Sequence, residues 1–344
     1  MESAANSPQS NHLQVQIFDH ISEVPEKAWD ALSAQGSITL SRAFWSVLEE
    51  SKLNDFAYRH LLLSQSDGTP CAIVTCYSVT TDIAIFAPKP IRSLLNGIRK
   101  VWPGFLQLRM LECGTPVTIT SPPFVTQEIF ETVLPTILEQ MQRMARKEGH
   151  LLMILRDFES NAQALRPSLE GYGYHWIESL PNTYLEICWS SPEEYLASMR
   201  SYYRSKVQKH RKRAQESGVR HELVTDFASL AETLCRQWMV VHTHAKEFQR
   251  EVLTPAFYRS LSNRLGEPSK VLLFYRGTEL VGHALLLLDG KMLRWLYVGR
   301  EVACNDSLYI YIAYTVVETA ILLGAERLEM GLTTYAIKQD LGAQ

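Results

Sequence analysis

The sequence lacks the signatures of most nucleotide- and metal-dependent enzymes. It contains no G-x-x-x-x-G-K-[ST] loop, no G-x-G-x-x-G turn and no G-x-S-x-G elbow. A P-loop phosphate cradle, a dinucleotide-binding turn and a hydrolase nucleophile are therefore not written in it. Its six cysteines are scattered without C-x-x-C spacing, which argues for buried thiols in a reducing compartment over a disulfide framework. His242 and His244 fall two apart on an expected helix, so their rings point apart and make a poor metal pair. The first dozen residues carry no apolar run of the kind a secretory signal needs. The longest apolar run, 308–324, is short for a membrane span and contains Glu318. Charge is nearly balanced at -3, so no whole-molecule field would draw the chain to nucleic acid or membrane. These absences predict a cytoplasmic protein with no membrane span, no metal and no tightly bound cofactor.

What is present is ordinary globular material: 46% hydrophobic and 21% charged residues in a chain of 344, which suits two domains. Residues 1–12 predict a disordered tail. A strand at 15–18 leads into helices at 25–34 and 42–51, with Pro25 suited to a first helical turn. Runs 58–65 and 69–79 flank Ser66-Asp67-Gly68, a hairpin signal. Residues 88–104 predict a loop with a short helix. A strand at 106–113 and a loop at 114–124 follow. Next come a helix at 126–147 capped by Thr126, a buried strand at 151–155 and a closing strand at 183–189.

The second half opens with Ser191-Pro192-Glu193-Glu194, an N-cap, a proline at the first helical position and a glutamate at the third. It predicts one helix from 191 to 217, stopped by Gly218. A strand at 220–224, a helix capped by Asp226 and another opened by Thr254-Pro255 come next. Strands at 271–275, 280–288 and 291–298 turn at Arg276-Gly277 and Asp289-Gly290. A helix from 305 to 323 and a strand near Glu329 complete the pattern. The halves repeat each other in order: strand, two helices, antiparallel strands, long helix, strand. The pattern predicts two copies of one α/β (α+β) unit, each a twisted, mostly antiparallel sheet flanked by helices. The expected boundaries are 1–12 for the tail, 13–189 for the first unit and 190–344 for the second.

Residues 293–344 place polar groups on core-like elements. On the last long helix, Leu308, Ile312, Val316, Thr319 and Leu323 form an apolar stripe, while Ser307, Tyr311, Tyr314 and Glu318 share another face. A carboxylate beside two phenols fits a proton-handling group tuned by burial. It fits equally an ion pair to Arg294 or Arg327 with the tyrosines as packing. Asn305 suits an N-cap, or a substrate holder at a helix N-terminus. From Glu329 to Tyr335 the hydrophobic period is lost. Gly331 allows close backbone approach, Thr334 and Tyr335 offer hydroxyls, and Lys338 can meet an acidic group; a solvated tail is the other reading. Arg200, Arg204 and Arg211 share one face of a basic helix and could converge on phosphates, or the helix is simply a solvated face.

At these residues the chain resembles a known group. The basic helix (YLASMRSYYRSKVQKHRKRAQESG), the strand and corner (LRWLYVGREVACNDSLYIYIAYTVVETAILLG) and the close (RLEMGLTTYAIKQDLGA) are similar to Fem-type acyltransferases of the GNAT superfamily, including proteins labelled peptidoglycan biosynthesis or recognition. The opening HISEVPEKAWDALSAQGSITLSRAFWSVLEES is similar to the start of the same group, so the resemblance covers residues 17–343. It implies tandem GNAT-like domains with the transfer site in the second. By position, Asn305, Tyr309, Glu329, Gly331, Thr334, Tyr335 and Lys338 match the group's corner, helix and closing motif. The pyrophosphate loop R/Q-x-x-G-x-G/A of ordinary GNAT enzymes is absent. Many relatives continue past Gln344, so the second sheet is expected to lack its closing strands or to take them from elsewhere.

The implied reaction is attack of a neutral amine on a thioester or ester carbonyl, with a backbone N–H at a splayed strand binding the oxyanion. Glu318 or Glu329 is the expected base, and Tyr335 or Tyr311 the expected proton donor. Tyr309, Tyr314, Asn305, Gly331, Thr334 and Lys338 are the expected substrate contacts, and Arg200, Arg204 and Arg211 would hold donor phosphates. The expected partners are a small-molecule acyl donor, with acyl-CoA as co-substrate, and an amine acceptor. An aminoacyl-tRNA donor and a non-catalytic binding role are the alternatives.

Overall fold

The computed structural model describes residues 13–34, 36–82, 91, 95, 97–102, 104–119, 127–158, 160–245, 251–302 and 307–344. The expected tail at 1–12, the expected cap Thr126, Asn305 and eight of the seventeen residues of the 88–104 stretch lie outside these residues.

Strand β1 (Gln14–Phe18) leads into helices α1 (Glu26–Ser33) and α2 (Arg42–Ser51). Strands β2 (Ala57–Ser64), β3 (Pro70–Asp82) and β4 (Gln107–Cys113) follow, then helix α3 (Gln127–Glu148) and β5 (Leu152–Leu155). These strands form a sheet in chain order, antiparallel through β4 and parallel between β4 and β5. After helix α4 (Arg166–Gly171) and strand β6 (Thr183–Glu186) come helices α5 (Pro192–Ser198) and α6 (Ser201–Glu216). The plan then repeats: β7 (Val219–Val224), α7 (Ala231–His244), α8 (Pro255–Leu265), β8 (Ser269–Arg276), β9 (Glu279–Asp289), β10 (Met292–Arg300), α9 (Ser307–Leu322), β11 (Arg327–Gly331). A short helix, α10 (Tyr335–Asp340), follows β11. The second sheet runs β6-β11-β10-β9-β8-β7, again antiparallel until the parallel β10–β11 pair. Two copies of one α/β unit are therefore present, each closing on a parallel strand that a long helix delivers.

Local chemistry sets several element ends. Ser41 Oγ accepts from the Phe44 amide at 3.2 Å and Thr254 Oγ1 from the Phe257 amide at 3.3 Å, capping α2 and α8. Gly290, at φ +60°, turns β9 into β10.

Five expectations change. The strand expected at 183–189 in the first unit is β6, which pairs antiparallel with β11. The second sheet thus includes a strand from before residue 190, which fills its edge beside β11. The single helix at 191–217 is two. Met199 (ψ 144°) and Arg200 (ψ 141°) are extended between α5 and α6. The break leaves few open carbonyls, because Ser198 Oγ donates to Tyr195 O and Arg204 Nη1 to Ala197 O and Met199 O. At the start of α5 only half of the capping box forms: Ser191 Oγ accepts from the Glu194 amide, while the Glu194 carboxylate takes the Ser190 amide and hydroxyl. The helix expected from Asp226 opens at Ala231 after a 3-10 turn. Finally, β5 is a sheet edge, not a buried strand, with Leu152 46% exposed.

The units share one core. Trp29, Phe44, Trp45 and Leu48 from the first pack in a single cluster with Phe257, Tyr258, Leu261 and Leu285 from the second. Each such buried large side chain contributes on the order of 2 kcal/mol. The opposite face of the second sheet packs on α9, which is apolar nearly all round. Among the described residues no helix is long and apolar enough to cross a membrane.

Candidate functional site

The site is built where β10 and β11 part. Their parallel register holds for three pairs and ends at Arg294 opposite Glu329. Beyond that point β10 runs on to Arg300 with a bulge at Leu296. On the far side of β11 a second bulge at Met330 bends the strand against β6. Bulges kink and twist strands, and here two of them drive neighbouring strands apart over the same short interval.

The closing segment lines this divergence with strained backbone. Gly331 (φ 75°), Thr333 (φ 66°) and Thr334 (φ 53°) all lie in the left-handed region. For a β-branched residue that conformation is a real outlier, costing roughly 1–2 kcal/mol each. The Thr334 side chain hydrogen-bonds Tyr309, whose buried ring stacks under the Arg300 guanidinium at 4.8 Å. Burial raises the Tyr309 phenol, and Thr334 and Arg300 partly oppose it. Trp295 packs against the same ring at 6.2 Å.

Lys338, on α10, lies behind the end of β11 and is 3% exposed. Its Nζ donates to Gly331 O at 2.9 Å and to Leu332 O at 2.8 Å. Burial lowers its pKa to about 7, although the Glu329 carboxylate works in the other direction. A lysine at that value holds its proton loosely at neutral pH. Gly331 O also accepts from Thr183 Oγ1 at 2.7 Å, so β6 helps to fix the strand end.

Glu329 is fully engaged. One carboxylate oxygen is bonded by Arg294 Nη1, and the other accepts from Asn182 Nδ2 at 2.9 Å. Arg294 donates as well to Asp289 at 2.9 Å and to Ile119 O at 3.1 Å. Burial works against the Arg294 charge, but Glu329 and Asp289 more than offset it and raise its pKa.

The structure thus brings Tyr309, Glu329, Gly331, Thr334 and Lys338 together. Tyr335 sits at the edge, its hydroxyl donating to Pro181 O at 3.0 Å. Tyr314 and Glu318 lie elsewhere, in the seam between α9 and the α5–α6 pair, and Tyr311 faces β7 and β8. Tyr311 OH bonds His221 Nδ1 at 2.9 Å, and Tyr314 stacks on Tyr195 at 6.3 Å. The Glu318 carboxylate lies 3.9 Å from Arg211, which also sits 5.7 Å over the Tyr314 ring. Burial raises the Glu318 carboxyl, with Tyr314 and Arg211 opposing. Glu318 thus has an ion-pair partner, which is Arg211 instead of Arg294 or Arg327.

The arginine face does not form as expected. Arg200 is the N-cap of α6, Arg204 closes α5, and Arg211 is committed to the seam. The exposed basic groups of α6 are instead Lys209, Lys212 and Arg213. Sequence reading missed Arg294 as a site residue, together with Asp289, Asn182 and Thr183. A lone arginine in the apolar run LRWLYV was the available signal, since a buried charge requires a partner.

The fold is shared with solved structures of known proteins. FemX superposes with a TM-score of 0.59 over 96% of this chain and 94% of its own, at 13% identity. A tandem GNAT protein from the clavulanic acid biosynthesis pathway superposes at 0.54 over 97% and 95%, at 10% identity. The two units are therefore tandem GNAT-like domains in fold. By sequence, 305 residues are 28% identical to a Mycobacterium tuberculosis protein named as a candidate 8-amino-7-oxononanoate synthase 2, covering 86% of this chain. The chain spans 39% of the length of that relative. Residues 114–334, well over half of the chain, match the family model described as peptidoglycan biosynthesis/recognition, and the protein belongs to this FemAB-like family.

Proposed function

We propose that the chain is an N-acyltransferase that moves an acyl group from a thioester donor to a primary amine at the divergence of β10 and β11. The observation that carries this reading is the strand end itself. Register stops at Arg294 and Glu329, strained backbone lines the gap, and a buried lysine with a pKa of about 7 lies behind it. Membership in the FemAB-like family and the FemX-like fold support group transfer as the class of chemistry.

In this reading the amine nitrogen attacks the thioester carbonyl. The new C–N bond forms, the C–S bond breaks, and the thiol leaves. Backbone N–H groups of β10 beyond the bulge stabilise the oxyanion. Lys338, in its neutral form, takes the proton shed by the amine and returns it to the departing thiolate. That assigns proton handling to Lys338 in place of Glu318 or Glu329, since Glu329 already holds Arg294 and Asn182. Tyr309 and Thr334 position the substrate, and no covalent intermediate on the protein is required. A small amine is the acceptor class this reading takes. The name of the Mycobacterium tuberculosis relative describes a molecule of that kind, an amine beside a ketone. The five described cysteines are all unpaired thiols, which suits work in the cytoplasm.

A second reading has its own support. Lys209, Lys212 and Arg213 form an exposed basic face on α6, which suits an aminoacyl-tRNA donor. Thermal shift with acetyl-CoA, longer acyl-CoAs and charged tRNA separates the two. A shift with acyl-CoA supports the first and a shift with charged tRNA alone the second. Binding without turnover makes the chain a recognition protein, and no shift with any donor overturns both transfer readings.

A further inference from the structure

We infer that Arg294 is a positioning residue: by engaging Glu329 it keeps that carboxylate from clamping Lys338, and through Asp289 it ties this arrangement to the docking of the first unit. The inference rests on the reading that Lys338 handles the proton.

The geometry is a chain of buried charges across the two units. Arg294 is 5% exposed and Glu329 6%. Arg294 Nε and Nη2 both reach Asp289 Oδ2 at 2.9 Å. Its Nη1 is shared between Glu329 and Ile119 O. Asp289 in turn accepts from Ser37 Oγ at 2.5 Å and from the Ile38 amide at 2.8 Å. Ser37, Ile38 and Ile119 belong to the first unit, whereas Glu329 and Lys338 belong to the second. The first unit therefore buttresses the Arg294 guanidinium, directly through Ile119 O and indirectly through Asp289.

Glu329 has two cations within its influence, Arg294 and Lys338. Arg294 and Asn182 take its oxygens, so the Lys338 ammonium finds only the Gly331 and Leu332 carbonyls. Other ionisable groups surround Lys338. They are Tyr184 on β6, Tyr195 on α5 (its hydroxyl bonds Leu341 O), Tyr309 on α9, and the Asp340–Lys206 pair at the end of α10. The Glu329 carboxylate is the one whose charge acts on Lys338. Removing Arg294 would leave Lys338 as its natural counter-ion and hold the lysine protonated.

The test is a side-chain NMR titration of lysine-labelled full-length protein, with the Lys338 signal assigned by its loss in Lys338→Met. Arg294→Met is expected to move the Lys338 midpoint up by about one pH unit or more, and Ser37→Ala to move it in the same direction by less. Glu329→Gln should move it down, and Arg294→Met with Glu329→Gln should return it close to the wild-type value. If the single arginine variant does not fold, Ser37→Ala and the double variant carry the test. A midpoint that ignores Arg294 and Ser37 overturns the inference. The readout needs no donor, so it is separate from the function proposed above. Shifts as expected, with Lys338→Met still transferring at the wild-type rate, would sink the role of Lys338 and leave the role of Arg294 standing.

Discussion

The ammonium nitrogen of Lys338 lies 2.9 Å from the carbonyl oxygen of Gly331, inside a site that leaves the lysine 3% exposed. Burial lowers its folded pKa from an ordinary 10.5 to about 7. Between those values the unfolded chain binds the proton and the folded chain does not. Stability therefore rises with pH from about 7 towards 10, and the penalty of the buried charge is fully present below about 7. Chemical denaturation across that range should show the slope in wild type. Lys338→Met should flatten it, and an unchanged slope would place the lysine in solvent.

Gly299 fixes how β10 passes α7. A Cβ built there would meet His283 Cε1 at 2.1 Å and the Trp238 amide nitrogen at 2.7 Å. The His283 ring is itself immobilised between Gln237 Oε1 (3.0 Å) and Tyr258 OH (3.2 Å). Gly299→Ala is predicted to cost about 3 kcal/mol, because backbone and a locked ring cannot yield. A denaturation midpoint within error of wild type would refute the fit.

Much of this fold was legible from period and punctuation. The repeated order of strands and helices, the Asp289-Gly290 turn and the Thr254 cap are local signals, and each sits where the sequence placed it. What failed was non-local. Strand β6 reads like any short β run, and nothing in TYLE says which sheet it will join; pairing with β11 decides that. The break at Met199 depends on Arg204 reaching back to the carbonyls of α5, which helical periodicity cannot show. At the site, Gly331, Thr334 and Lys338 stood out as polar residues on a core-like stretch. Arg294 did not, because its meaning comes from Asp289, Glu329 and Ile119, residues distant in the chain.

Two consecutive threonines with positive φ should be strained. Replacing Thr333 by glycine removes roughly 1–2 kcal/mol of strain and restores about 0.5–1 kcal/mol of unfolded-state entropy, leaving a net gain on the order of 0.5–1 kcal/mol. The melting temperature of Thr333→Gly should rise by a few degrees. Transfer should slow at the same time, because the strain holds Thr334 against Tyr309. A drop in melting temperature would show that the turn is relaxed as it stands.

Glu318 separates a seam residue from a catalytic one. Its carboxyl is raised by burial, so between pH 4.5 and that raised value the folded chain keeps a proton that the unfolded chain has lost. Stability therefore falls as pH rises through the window, and at neutral pH the buried carboxylate is a burden that Arg211, at 3.9 Å and partly exposed, relieves weakly. Glutamine keeps the shape and drops the charge. Glu318→Gln should thus be at least as stable as wild type at neutral pH, lose that part of the acid-side pH dependence, and transfer at a rate within about twofold. A general base replaced by its amide typically loses a factor of about 10² or more. A loss of that size in a variant that still folds would return Glu318 to the chemistry, and it would move the site from the end of β11 to the seam between α9 and α6.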